Sequence, residues 1–134
     1  MYPPFENSTT LIAIEYNTSI FSDPSQLWKL VDGILINKAG IWFSNIKWRM
    51  KRRGSRIYIE NKSTLDVLGI SRFDVIEEEC FRENPFQLWK TGKPNFEGYF
   101  TLQNAGCSNF QLLTAISSSN LQIQGSTKAT HFIE

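Results

Sequence analysis

The segment from residue 56 to residue 79 constrains the fold of this chain more than any other. Its first five residues are rich in the β-branched and aromatic side chains that favour strands. Asn61 then interrupts the pattern, and Gly69 and Ser71 mark further breaks. So many breaks in a short segment predict a strand followed by short helical turns, in which Leu65 and Leu68 point to one side.

Apolar and basic side chains alternate just upstream, along residues 46–51, which predicts a half-buried strand. A turn at residues 53–55 then connects it to residues 56–60, so the pair is expected to form a β-hairpin. The basic residues of this hairpin are Lys47, Arg49, Lys51, Arg52, Arg53 and Arg56. Basic side chains protect sheet edges from unwanted pairing. The alternative is a small regulatory protein that binds nucleic acid through this hairpin.

A helix is predicted near the N-terminus, because Asp23 can cap it and Pro24 suits its first position. Gly40 would end this region. We therefore divide the chain into a flanking segment with a helix, residues 1–38, and a domain at residues 39–134. The apolar face of the helix is a candidate dimer interface, formed by Leu27, Trp28, Val31 and Ile34.

The rest of the chain predicts two more helices and then strands. Ser71 and Asp74 fit a capping box, and Asn84 with Pro85 would start a third short helix. Alternating side chains predict a strand near residues 96–102 and two more, at residues 110–116 and 121–132. The expected fold is α+β, with a five-stranded antiparallel sheet, short helices on one face and the N-terminal flanking helix.

Composition narrows the possible functions. The 134 residues suit one domain, and a net charge of +1 gives no general attraction to nucleic acid or membranes. No apolar run approaches a membrane span, and the N-terminus does not read as a signal peptide, so we expect a cytoplasmic protein. Cys80, Cys107 and His131 do not form a zinc-ligand pattern, and no nucleophile and base motif predicts an enzyme.

Short segments in the last two thirds of the chain resemble motifs of the PAS family. They are Asn61 followed by Leu68-Gly69-Ile70-Ser71, then residues 91–97 (TGKPNFE), 106–117 (GCSNFQLLTAIS) and 122–125 (QIQG). Asn61 can bond to backbone where the strand ends, and Gly69 and Gly106 permit tight turns. The resemblance covers about residues 30–134.

This resemblance implies a non-catalytic sensory domain for signal transduction, with a ligand pocket between sheet and helices. The implied partners are a small ligand, a second copy of the chain, or an effector such as a histidine kinase of a two-component system. The candidate pocket residues are Asn61, Leu68, Ile76, Cys80, Trp89, Phe100, Leu113 and Ala115.

A light-sensing LOV domain is the alternative within the same family. Cys80 lies nineteen residues after Asn61, where LOV domains hold the cysteine that reacts with flavin. The surrounding residues do not follow the LOV pattern, and Glu77 to Glu79 would repel a flavin phosphate. Haem would need an axial ligand on the helix wall, whereas the one histidine is His131. No cofactor or metal is therefore predicted.

Overall fold

The computed structural model describes residues 23–72, 74–107 and 111–125. Of these residues, 51% lie in strands and 6% in helices. In chain order the strands are β1 (Trp28–Val31), β2 (Ile34–Asn37), β3 (Trp48–Arg53), β4 (Arg56–Asn61), β5 (Val67–Ser71), β6 (Asp74–Glu78), β7 (Trp89–Thr91), β8 (Leu102–Asn104), β9 (Gln111–Ser117) and β10 (Asn120–Gly125). Single 3₁₀ turns at Pro24–Gln26 and Pro85–Gln87 precede β1 and β7.

The strands form a hairpin and one large sheet. β1 pairs with β2, and the eight other described strands follow the order β3-β4-β5-β6-β10-β9-β8-β7. β4 also pairs with β7, where Ile57 lies opposite Trp89. The pairing therefore runs from β4 through the other strands and back to β4. Within the described residues, β3 lies outside this ring and pairs with β4 alone.

The predicted α+β fold with a five-stranded sheet and helices on one face is wrong. The structure is nearly all β, and no helix within the described residues reaches seven residues. None of these short helices has the length and hydropathy needed to cross a lipid bilayer. The layered arrangement that the PAS resemblance implied is therefore absent from the part of the chain that the structure describes.

The helix predicted after Pro24 is instead one 3₁₀ turn followed by the β1–β2 hairpin. Asp23 does cap the turn, because its Oδ1 accepts a hydrogen bond of 3.0 Å from the Ser25 N–H. The helix cannot continue, because Asp32 and Gly33 form a two-residue turn with φ of 53° and 82°. Such turns suit hairpins, and the β-branched residues on both sides favour strands.

The helices predicted after Asn61 and Ser71 are also strands. Asn61 holds a turn, since its Oδ1 accepts hydrogen bonds from the backbone of Ser63 at 2.8 Å and Thr64 at 3.3 Å. β5 begins only a few residues later. Between β5 and β6 the chain reverses at Arg72, whose φ is 61°. The expected capping box is therefore a tight turn, which leaves no room for a helix.

The predicted hairpin at residues 46–60 is confirmed. β3 and β4 pair without interruption from Trp48↔Asn61 to Arg53↔Arg56. The two later strand predictions near β9 and β10 are also confirmed, because these strands pair from Asn120↔Ser117 to Gly125↔Gln111. The part of the last predicted strand beyond residue 125 lies outside the described residues.

The hydrophobic core contains side chains from the hairpin and from the large sheet. Its largest fully buried apolar side chains are Trp28, Trp89, Ile59, Leu102, Leu113 and Val67. Trp28 and Phe100 donate backbone hydrogen bonds to each other, both of 2.8 Å. The β1–β2 hairpin, which belongs to the predicted flanking segment, therefore packs directly on the predicted domain.

Candidate functional site

A short sequence repeat organises the architecture around the candidate site. Residues 26–29 and residues 87–90 both read Gln-Leu-Trp-Lys. Asp23-Pro24-Ser25 precedes the first copy, and Asn84-Pro85-Phe86 precedes the second, so each copy follows a capping residue and a proline. This signal is visible in the sequence, but the helix prediction passed over it.

The two copies begin with the same local structure. In the second copy the Asn84 Oδ1 accepts a hydrogen bond of 3.0 Å from the Phe86 N–H, as Asp23 does from Ser25 in the first. Each 3₁₀ turn brings a glutamine inside the protein, Gln26 with 3% exposure and Gln87 with 0%. Capping residue, proline and glutamine therefore occupy equivalent positions in both copies.

The tryptophan of each copy is fully buried and tied to a distant strand. The Trp28 Nε1 donates to the Leu113 carbonyl at 2.9 Å, and the Trp89 Nε1 donates to the Leu68 carbonyl at 3.1 Å. A buried indole N–H needs such an acceptor, because leaving it unpaired costs free energy. Each tryptophan thus combines a large apolar contact with one specific polar bond.

A buried asparagine completes each copy. Asn37 lies opposite Trp28 in the β1–β2 hairpin, and Asn104 lies opposite Trp89 in the β7–β8 pair. The Asn37 Nδ2 donates to the Ser25 carbonyl and the Asn104 Nδ2 donates to the Phe86 carbonyl, both at 2.9 Å. Each asparagine side chain therefore links its strand pair to the 3₁₀ turn of the same copy.

These parts define a repeated unit of a 3₁₀ turn, a strand pair and a following hairpin. The following hairpin is β3–β4 in the first unit and β9–β10 in the second. The units differ in the connection within the strand pair. It is the Asp32–Gly33 turn in the first unit, and residues 92–101 in the second. The second connection pairs with Trp28 through Phe100, so it joins the two units.

A cleft of about 260 Å³ lies beside the first unit, and it is the candidate functional site. Its apolar lining includes Trp42, Phe43, Ile46, Trp48, Leu68, Val75 and Leu121, and its polar lining includes Ser44, Glu77 and Ser119. Trp42 packs edge-on against Trp28, with 5.5 Å between the ring centroids and an interplanar angle of 75°. The first repeated unit therefore supports one wall of the cleft.

The loop between β2 and β3 forms the rim of the cleft. The side chain of Phe43 is 68% exposed, although the Phe43 N–H donates a hydrogen bond of 3.2 Å to the Ser118 carbonyl. The Ile46 N–H donates to the Ser44 Oγ at 3.0 Å. The loop is thus held by its backbone while an aromatic side chain projects into solvent, an arrangement suited to ligand contact.

Two polar groups in the cleft have unusual surroundings. Trp48 is 2% exposed, and its Nε1 has no hydrogen-bond acceptor among the described residues. The carboxylate of Glu77 accepts a hydrogen bond of 2.9 Å from the Asn61 Nδ2, which fixes one of its oxygens. The cleft lining thus includes Trp48, whose Nε1 is buried without an acceptor among the described residues, and a carboxylate acceptor that Asn61 orients.

The residues predicted to line a pocket are mostly core residues. Trp89, Leu113 and Ala115 are buried in the hydrophobic core, and Phe100 packs partly buried against it. Leu68 is the predicted pocket residue that does line the cleft. Sequence reasoning missed most of the lining because it comes from segments that are distant in the chain.

The remaining predicted pocket residues lie at or near the surface, except Asn61. Asn61 is buried and orients Glu77, as described above, whereas Ile76 is 38% exposed. Cys80 is exposed and carries a free thiol. It lies beside Tyr58, where burial and the neighbouring thiol raise the pKa of the phenol. The flavin alternative required the PAS arrangement, which these strands replace.

Further predictions from the sequence concern a dimer interface, metal binding and His131. The candidate interface residues Leu27 and Trp28 are buried within the chain, Ile34 is partly buried, and Val31 is 37% exposed. Within the described residues, no group of His, Cys, Asp and Glu is arranged to hold a metal ion. His131 lies outside the described residues.

Comparison with known proteins gives no family assignment. A scan against protein-family models, a search of curated proteins and a search of solved structures each found no significant match. The resemblance to PAS domains therefore has no family match to support it, and the observed fold contradicts the architecture it implied. The cleft is therefore the feature from which we infer a function.

Proposed function

We propose that this chain is a non-catalytic domain that binds a small hydroxylated ligand, such as a sugar ring, in the cleft beside Trp48. The Trp48 indole N–H is the observation that supports this most strongly, since it has no acceptor among the described residues. A buried donor without a partner costs free energy. This nitrogen is itself buried, so a ligand oxygen would reach it once the lining side chains move aside; it would then supply the acceptor, and binding would recover that cost.

The other groups that line the cleft match both the apolar face and the hydroxyl groups of a sugar. A sugar ring has an apolar C–H face, which can stack on an exposed aromatic ring such as Phe43. Its hydroxyl groups need acceptors and donors, which Glu77 and the serines Ser44 and Ser119 offer. A carboxylate gives the stronger bonds, because charged acceptors bind hydroxyl donors more tightly than neutral ones.

The same lining supports binding rather than hydrolysis. Glycoside hydrolysis normally requires two carboxyl groups on opposite sides of the bond that is cleaved. Glu77 is the one carboxyl group among the described residues that line the cleft. It accepts a hydrogen bond from the Asn61 amide, which holds the carboxylate in place to accept hydrogen bonds from ligand hydroxyls.

We propose the cytoplasm as the location of this domain. Both cysteines of the chain, Cys80 and Cys107, are free thiols. Unpaired cysteines fit a reducing compartment, where disulfides rarely persist. In this setting the domain would report the presence of its ligand to a partner protein, as a sensory domain does.

Removing the exposed ring at the rim tests the proposed site. We expect Phe43→Ala to weaken binding about tenfold, which is the scale of a lost stacking contact. The measurement is a calorimetric titration with a panel of methyl glycosides, carried out on the wild type first. The glycoside that binds the wild type most tightly is then used for the variants.

Phe81→Ala is the matched control, because Phe81 is also exposed, at 57%, and lies outside the cleft lining. This control should bind as tightly as the wild type. Equal affinity of the wild type and Phe43→Ala would contradict the proposed site. Failure of every glycoside in the panel to bind would contradict the proposed ligand class.

A further inference from the structure

The free edge of strand β3 forms a second surface, which is separate from the cleft. Strand β3 has β4 on one side, and no other described strand pairs with its opposite edge. Its pairing with β4 is regular over its whole length, without a bulge. A regular edge strand presents unpaired backbone groups to solvent, which makes it a template for another strand.

The hydrogen bonds around β3 identify the outward-facing backbone groups. The Lys62 N–H donates to the Lys47 carbonyl at 2.9 Å, whereas the Trp48 N–H points the other way, to the Gly33 carbonyl at 2.8 Å. Bonding direction alternates along an antiparallel strand. The N–H and C=O groups of Met50 and Arg52 therefore face outward, and no described residue bonds to them.

The side chains along this edge are strongly basic. Lys47, Arg49, Lys51 and Arg52 are all exposed. Arg53 already pairs with Glu83 at 2.7 Å, and Arg49 lies 3.8 Å from the carboxylate of Glu60. The outward positions near Met50 therefore carry positive charge that the described carboxylates do not fully neutralise, chiefly on Lys51 and Arg52.

Charge decides which kind of strand fits this edge. A second copy of the chain would place its own basic β3 against this one, and like charges on facing strands are destabilising. A strand that carries carboxylates would form favourable pairs with Lys51 and Arg52 instead. Nucleic acid would match the charge as well, but it cannot form the strand-to-strand backbone bonds that Met50 and Arg52 offer.

We propose that the β3 edge binds an extended acidic peptide segment of a partner protein, which adds as a strand beside Met50 and Arg52. Backbone hydrogen bonds would provide affinity, and the carboxylates would select the acidic sequence. This inference does not depend on the proposed sugar ligand, because it uses a different surface and different residues.

The direct test is binding of a fluorescein-labelled peptide in which glutamate alternates with valine, followed by fluorescence anisotropy. The wild type is expected to bind this peptide. A peptide of equal charge with prolines in place of the central valines should bind about tenfold more weakly, since proline removes backbone donors. Equal binding of both peptides, or tighter binding of a single-stranded oligothymidylate of equal charge, would overturn the proposal.

Variants separate the backbone contribution from the charge. Arg52→Pro removes an outward N–H without disturbing the bonds to β4, and Arg52→Ala removes the same charge but keeps that N–H. We expect Arg52→Pro to bind the alternating peptide about tenfold more weakly than Arg52→Ala. Equal affinities would show that no strand is added, and circular dichroism checks that both variants remain folded.

Charge reversal and amide exchange complete the test. Lys51→Glu should weaken peptide binding about tenfold, whereas Arg82→Glu, at an exposed position outside β3, should leave it unchanged.

In the free protein the amides of Met50 and Arg52 should exchange with solvent faster than those of Arg49 and Lys51. Slow exchange at Met50 and Arg52 would mean that the edge is already covered, which contradicts the proposal.

Discussion

Replacing Trp89 by alanine is expected to lower the free energy of unfolding by about 4 kcal/mol. Trp89 is fully buried in the core, so the substitution removes a large apolar contact and leaves a cavity. It also leaves the Leu68 carbonyl without the indole donor. Unfolding in urea, followed by circular dichroism, measures the change.

Trp28→Ala should cost a similar amount, because Trp28 occupies the equivalent position in the first repeated unit and is equally buried. Phe81→Ala is the control and should change the free energy of unfolding by less than about 0.5 kcal/mol, as surface substitutions usually do. A large loss for one tryptophan and a negligible loss for the other would contradict the equivalence of the two units.

The buried glutamines provide a prediction in which the two units differ. Gln87→Leu is expected to lower the free energy of unfolding by about 3 kcal/mol. Its Nε2 donates to the Glu78 carboxylate at 3.0 Å and to the Glu79 carbonyl at 2.8 Å, and its Oε1 accepts from the Phe81 N–H at 2.8 Å. Leucine has a similar size but leaves all three groups unpaired.

Gln26→Leu should cost less, about 1 kcal/mol. The Gln26 Nε2 donates to the Thr114 Oγ1 at 3.1 Å, its two bonds to backbone carbonyls are longer, and its Oε1 has no partner among the described residues. Urea unfolding of the two variants side by side gives the comparison. If Gln26→Leu were the more damaging change, this hydrogen-bond account of the repeat would be wrong.

The cleft and the repeat are structurally linked. Trp42 forms a wall of the cleft and packs on Trp28, the tryptophan of the first unit. Trp48, which carries the unpaired indole donor, begins the β3–β4 hairpin of the same unit. The first unit therefore fixes the positions of both tryptophans, and a preformed cleft binds a rigid ligand at a lower entropic cost.

The strand hairpin β3–β4 was predictable from the sequence, and the β1–β2 hairpin was not. Alternation and a glycine-containing turn identify β3–β4 without ambiguity. In contrast, the apolar residues of segment 27–35 fit a helical face as well as two short strands. The turn at Asp32–Gly33 decides between them, because two successive residues with positive φ cannot continue a helix.

The capping residues were identified correctly from the sequence, but the helices predicted to follow them were too long. Asp23 and Asn84 both cap, yet each caps a single 3₁₀ turn. The turn ends at a buried glutamine, and a strand begins two residues later at a β-favouring tryptophan. The repeated Gln-Leu-Trp-Lys sequence would have revealed that both segments share one structure. The cleft itself was beyond prediction, since strand pairing assembles it from segments that are distant in the chain. They are the loop at Phe43, strands β3, β5, β6 and β10, and the turn at Ser119.

The indole N–H signals of the four tryptophans test the central claim most directly. In a ¹⁵N-labelled sample, the Trp28 and Trp89 signals report donors that are already bonded inside the protein. The Trp48 signal reports a buried donor of a residue that lines the cleft, without an acceptor among the described residues. Single Trp→Phe variants assign the signals. We predict that titration with the best-binding methyl glycoside shifts the Trp48 signal strongly and leaves those of Trp28 and Trp89 in place. An unchanged Trp48 signal at saturating glycoside would contradict the account.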